Sequence, residues 1–135
     1  MKTISAFALV VGVTMACCSG VASAQPMLKD VPHVREGIIA LGMAFEVSKK
    51  CNSISPRRIR GISHLFSLRN HAYELGFSRM QVDAYVNDKA EENRLKDIAY
   101  KRLRDLGAIT GNNASYCTLG LVEIAKDNAI GRLLR

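Results

Sequence analysis

The cysteines constrain this chain more than any other residue type. Two of the four, Cys17 and Cys18, stand inside the opening stretch MKTISAFALVVGVTMACCSGVASAQP; Cys51 and Cys117 lie beyond it. The opening stretch reads as an export leader. Lys2 supplies a positive start, apolar and small residues follow, and Ala22-Ser23-Ala24 gives the small-x-small pattern that signal peptidases cut after. Cleavage after Ala24 is expected, with residues 1–24 as the leader, residues 25–135 as one mature domain, and the periplasm as its location. Two readings compete. An uncleaved anchor would need ~20 apolar residues, more than this run provides. A lipoprotein would want a leucine-type residue three places before Cys17, where Thr14 stands.

Removal of the leader leaves Cys51 and Cys117, and an even pair in an oxidising compartment reads as a disulfide. The loop it closes is most of the mature chain, which the chain-entropy model credits with ~4 kcal/mol. Against a domain stability of ~5–15 kcal/mol that is a large share. Two unpaired buried thiols are the alternative. No CxxC or paired Cys/His spacing is present, so no metal is expected.

The rest of the mature chain carries helix signals. Nowhere do β-branched or aromatic residues alternate with polar ones over several positions. The first helix is predicted to start near Asp30 as cap, with Pro32 in its first turn. Val34, Ile38, Leu41 and Phe45 form one stripe and Ile39, Met43 and Val47 another, so it is apolar nearly all round and belongs at the centre. A second helix is predicted with Ser55 as cap and Pro56 at its first position. Its apolar face is Ile59, Ile62, Leu65, Phe66, Leu68, Ala72, Tyr73 and Leu75, opposite Arg57, Arg60, His64, Ser67, Asn70, His71 and Glu74. Gly76 reads as its C-terminal cap. Ser78 and Gln81 can form a capping box, with Phe77 and Val82 as hydrophobic staple.

Between residues 79 and 106 the apolar stripe of Val82, Tyr85 and Val86 gives way to Leu95, Ala99, Leu103 and Leu106, rotated by roughly a third of a turn. A break or bend at Asn87 or Asp88 follows, and Gly107 should end this region. A last helix is predicted from about Ser115 to Asp127, with Cys117, Leu121 and Ile124 on one face carrying the disulfide into the core. The tail, through Ala129, Ile130, Leu133 and Leu134, should pack down. The expected fold is all-α: a small bundle of four to five helices stapled by one disulfide.

No constellation for catalysis stands out. His64 and His71 lie two turns apart, ~10 Å along a helix axis, too far to share a metal ion. His71 and Glu74 offer two ligands with no visible third, so these residues read as exposed surface. GxSxG, SxxK and glycine-rich phosphate loops are absent. The chain is expected to be no enzyme and to use no cofactor.

Charge is the remaining clue. Without Lys2 the chain keeps 18 basic against 12 acidic residues, a net +6. Residues 49–79 hold Lys49, Lys50, Arg57, Arg58, Arg60, Arg69 and Arg79 against Glu74 alone, so the whole excess is local to them. Residues 80–105 balance, with Glu92–Lys96 and Asp97–Lys101 as i, i+4 pairs. Nucleic acid is not an expected partner, because no aromatic residues interleave the basic stretch to stack bases. An anionic ligand, an acidic protein or a membrane surface fits better. Arg57 and Arg60, in the first turns of the second helix, are the candidate anion site, since unpaired amides there attract negative charge. A carboxylate from the 80–105 segment competes for the same arginines. Arg58 and Arg69 project among apolar residues and read as buried, paired, structural arginines.

The stretches SPRRIRGISHLFSLR, GFSRMQVDAYVNDKAE and NNASYCTLGLVEIAKDNAIGRLLR together resemble a family of small exported alphaproteobacterial proteins of unknown function. The resemblance covers most of residues 51–135 and implies a helical fold with the two-cysteine pattern, but no activity. Members are sometimes labelled as the two-iron component of the respiratory NADH dehydrogenase. That component resembles thioredoxin and holds its cluster on four cysteines, whereas this mature chain has two, without cluster spacing. The expectation is therefore a non-enzymatic periplasmic interaction or accessory protein with an unknown protein partner. The alternative is a basic module for an anionic ligand, acidic protein or membrane surface. Once cleaved, it should not be an integral membrane protein.

Overall fold

The predicted central helix is the axis of the molecule. In the computed structural model, α1 (Pro32–Lys50) is packed on by α2 (Arg58–Glu74), α4 (Lys89–Asp105) and α5 (Asn113–Ala125). The short α3 (Arg79–Val86) connects α2 to α4, and single 3-10 turns lie at Leu28–Asp30 and Gly131–Leu133. The structure describes residues 26–135; the leader expected over 1–24 and its cleavage site lie outside the described residues. Among the described residues there are five α-helices and no strands, as the all-α reading expected.

Local stop and start signals work as read. Gly76 adopts φ +90°, a left-handed conformation that costs a glycine little, and the Phe77 amide donates back to the Ala72 carbonyl at 3.1 Å. Ser78 and Gln81 complete their capping box, and Phe77 and Val82 are buried in one cluster. The break falls at Asp88, whose carboxylate accepts from the amides of Ala90 and Glu91. Two starts differ. Asp30 lies in the 3-10 turn and Val31 is the residue before α1, with no side-chain cap.

The second difference shapes the molecule more. Ser55 and Pro56 do not open α2, because the C-terminal tail claims their backbone. The Ser55 amide donates to the Arg135 carbonyl at 2.7 Å, the Arg135 amide returns the bond at 2.9 Å, and the Arg57 amide donates to the Leu133 carbonyl at 2.7 Å. Pro56 also holds Ser55 out of the helical region. The helix therefore starts at Arg58.

The main core gathers Ile39, Met43 and Val47 of α1 with Leu95 and Leu103 of α4, Leu119 of α5, and Leu133 and Leu134 of the tail. A second cluster of Leu28, Val34, Ala72, Phe77 and Val82 lies at the other end of α1 and is joined to the first through Ile38 and Tyr85. Glycines set the closest approaches. A Cβ at Gly120 would come within 2.7 Å of Val47 and 2.5 Å of Ile54, and one at Gly37 within 2.6 Å of Leu68. Because Gly120 faces α1, α5 turns Tyr116, Leu119 and Glu123 inward, and Leu121 is exposed. The expected Cys117–Leu121–Ile124 face is thus only half-buried. The disulfide forms between Cys51, a fully buried member of the main core, and Cys117, half-buried and packed against that core.

Candidate functional site

Helix α2 is where the structure departs furthest from the helical-wheel expectation. Its buried residues are Gly61, Leu68 and Ala72. Ile59 is 83% exposed, Ile62 55%, Leu65 50% and Phe66 48%. The helix is rotated so that Leu68 packs onto α1 at Gly37, between the small buried residues Gly61 and Ala72, and the Ile59, Ile62, Leu65 and Phe66 side is turned outward. That seam permits a closer helix approach than Ile62 and Phe66 would allow. The rotation brings His64 and His71, expected on the outer surface, to half-buried positions on the α1 side, where His64 Nε2 lies 3.2 Å from the Gly37 carbonyl.

The same rotation corrects the reading of two arginines. Arg58 and Arg69 do lie among apolar residues, but that face is turned to solvent and both are exposed. Neither has a carboxylate partner within 4 Å among the described residues. The Arg69 guanidinium lies over the Phe66 ring, 4.6 Å from its centroid, a cation–π contact that holds charge on the apolar stripe.

Arg57 and Arg60 are tied to the tail. Arg57 Nε donates to the Leu134 carbonyl at 2.8 Å and Arg60 Nη1 to the Arg132 carbonyl at 3.2 Å. The competitor for these side chains is therefore backbone oxygen and not a carboxylate of residues 80–105. Around them Ser55, Arg58, Ser63 and Arg135 complete a shallow depression with no aspartate or glutamate in its lining, and no side chain caps the helix start above it. Beside it, a groove between α1 and α2 is lined by Leu41, Ala44, Phe45, Gly61, Ile62, Leu65 and Leu133, with Arg57 and Arg58 at one end.

Carboxylates cluster elsewhere and are paired. Glu36 reaches from α1 to Arg102 of α4, 3.2 Å to Nη2 with a second bond to Nη1. The Arg102 guanidinium holds its carboxyl below the usual range, and nothing in the spacing announces the pair. Glu91 is buried and takes both forks of Arg94 at 2.7 and 2.6 Å, which lowers its pKa in the same way. Burial opposes ionisation of Glu123, yet bonds from Lys126 and Asn128 outweigh it and its pKa falls. Lys101 pairs forward with Asp105 at 2.8 Å instead of back with Asp97, while Glu92 takes both Lys96, as expected, and Lys89. Burial pushes the Tyr85 phenol up to about 12.

Sequence spacing left His71 and Glu74 without a third neighbour, and the fold supplies one. His33 packs edge-on against His71, ring centroids 4.7 Å apart. Even so, no group of three His, Cys, Asp or Glu side chains among the described residues is arranged to hold a metal ion. No helix among them is long and apolar enough to cross a membrane.

Comparison with known proteins gives a family and no activity. No curated protein matches the chain, and no solved structure matches it. One family model does, over residues 26–135, the whole of the described chain. The chain belongs to the family of unknown function DUF5333.

Proposed function

We propose that the mature chain is an exported, disulfide-stapled helical domain of the periplasm that works without catalysis, through contacts with a protein partner on the outer face of α2. One observation carries this reading: Ile59, Ile62, Leu65 and Phe66 form a continuous apolar stripe turned to solvent. Single exposed apolar residues are ordinary on a protein surface, but a contiguous stripe beside an apolar groove is the signature of a contact surface. Affinity capture from the periplasm tests it, using wild-type protein and an Ile59→Ser, Phe66→Ser variant. The reading expects captured proteins to be lost from the variant, and an unchanged set contradicts it.

A second reading has its own support. Arg57, Arg58, Arg60 and Arg135 surround a depression without an acidic side chain at an uncapped helix start, which suits an anion. On this reading phosphate shifts the amide signals of residues 56–60 in low salt, and Arg57→Ala with Arg60→Ala removes the response. No shift with phosphate or an acidic polymer at low salt, or binding that survives the double substitution, disposes of it.

A further inference from the structure

We infer that the occupant of the α1–α2 groove is an amphipathic helix of a partner protein that carries aliphatic anchors flanked by carboxylates. This rests on the reading of α2 as the contact face and adds the chemistry of what it meets. Shape gives the first argument. Leu41, Ala44 and Phe45 of α1 and Gly61, Ile62 and Leu65 of α2 line an almost wholly apolar groove. On the α2 side its lining runs from Arg57 to Leu65, about two turns or roughly 12 Å at 1.5 Å per residue. A groove of this kind takes the side chains at i, i+3 or i+4, and i+7 of a docked helix.

Charge gives the second. Arg57 and Arg58 close one end of the groove, and Arg69 stands on the stripe itself, stacked on Phe66. None of the three has a carboxylate within 4 Å among the described residues. On α2 itself Glu74, at the last position, is the single acidic residue. Carboxylates flanking the anchors of a docked helix would meet these guanidinium groups at the edge of an apolar contact, where charge complementarity selects the partner.

The same two features argue against other occupants. A second copy would bring this arginine-rich face against itself, with like charges opposed. A lipid surface offers headgroup charge but no projecting side chains to fill a concavity.

The test uses oxidised mature protein and three probes. One is a synthetic amphipathic helix of about 18 residues with leucine anchors and glutamate elsewhere; the second replaces glutamate by lysine; the third is vesicles of phosphatidylglycerol with phosphatidylcholine. The leucine–glutamate peptide should move the amide signals of residues 41–45 and 58–69. Its affinity should fall at least about tenfold as salt rises from low to several hundred millimolar. The lysine peptide should do neither. Arg58→Glu with Arg69→Glu, both at exposed positions, should reverse the preference.

The inference is overturned if the acidic peptide produces no shift, if both peptides act alike, if the charge-reversed variant keeps the original preference, or if vesicles move these amides and the peptide does not. Suppose it is overturned while periplasmic capture still depends on Ile59 and Phe66. The contact face then stands and only the partner's chemistry falls. If capture is also unchanged in that variant, both fall.

Discussion

Helices α2 and α4 have the same length, 17 residues, and pack on the same partner, α1. They use their side chains in opposite ways. Helix α4 buries Leu95, Ala99 and Leu103, holds Ile98 half-buried, and pairs its charges: Glu91 with Arg94, Glu92 with Lys89 and Lys96, Lys101 with Asp105, and Arg102 with Glu36 across to α1. A carboxylate caps its start and basic residues occupy its last turn, as the helix dipole favours. Helix α2 buries Gly61, Leu68 and Ala72, leaves Ile59, Ile62, Leu65, Phe66 and Tyr73 outside, and starts uncapped, with Arg57 and Arg60 tied to backbone carbonyls, Arg69 stacked on an aromatic ring and Arg58 exposed. Folding explains every major choice in α4. In α2 it explains the seam and leaves the stripe over, and the stripe is the surface proposed to meet a partner.

Substitutions should separate the two helices, first by their effect on stability. Leu103 is fully buried, so Leu103→Ala should cost about 2–5 kcal/mol in chemical denaturation. A loss below 1 kcal/mol would mean that α4 is not the structural helix described. Cys51→Ser with Cys117→Ser releases a loop of 66 residues and should cost about 4 kcal/mol, again by denaturation, with the helical circular dichroism of α2 and α4 retained below the transition. The Asp88 cap serves α4 alone, and Asp88→Ala should cost about 1 kcal/mol. Smallest is Ile59→Ser, at a position 83% exposed, which should change stability by no more than about 0.5 kcal/mol. A large loss there would place Ile59 in a core and remove the contrast.

Acid should act on α1, α4 and α5 before α2. The folded pKa values of Glu36, Glu91 and Glu123 lie below the ordinary 4.5. Their contribution is therefore fully present above pH 4.5 and is lost as pH falls from there through the folded values. Helix α2 has only the exposed Glu74 to lose, by contrast. Denaturation midpoints measured from pH 6 downward should fall below about pH 4.5, and less so in Glu91→Gln, which has already lost the Arg94 pair.

What was legible in the sequence follows the range of the interaction. Gly76, the Ser78–Gln81 box, Asp88 and Gly107 act within one or two turns, and each could be read from neighbours alone. The rotation of α2 depends on Gly37 admitting Leu68, a fit between residues far apart in the chain that no helical wheel contains. The wheel places Ile59, Ile62, Leu65 and Phe66 on one face correctly but equates that bulky face with the buried one, whereas the seam buries Gly61, Leu68 and Ala72. The tail is a second case. Ser55 and Pro56 carry the local marks of a helix start, but backbone bonds from Leu133 and Arg135 outcompete them, and Arg57 and Arg60 follow those carbonyls. Arg58 and Arg69 were misplaced for the same reason as their apolar neighbours.

The central claim is that α2, and not α4, is the face that meets a partner. A photo-crosslinking residue can be placed at Ile62 on α2 and, in a second variant, at Tyr100 on α4, which is 40% exposed. Both variants are expressed with their leader and irradiated in intact cells, and adducts are separated by mass. The account predicts a discrete adduct from position 62 and none from position 100. No adduct at 62, or equal adducts from both positions, would contradict it.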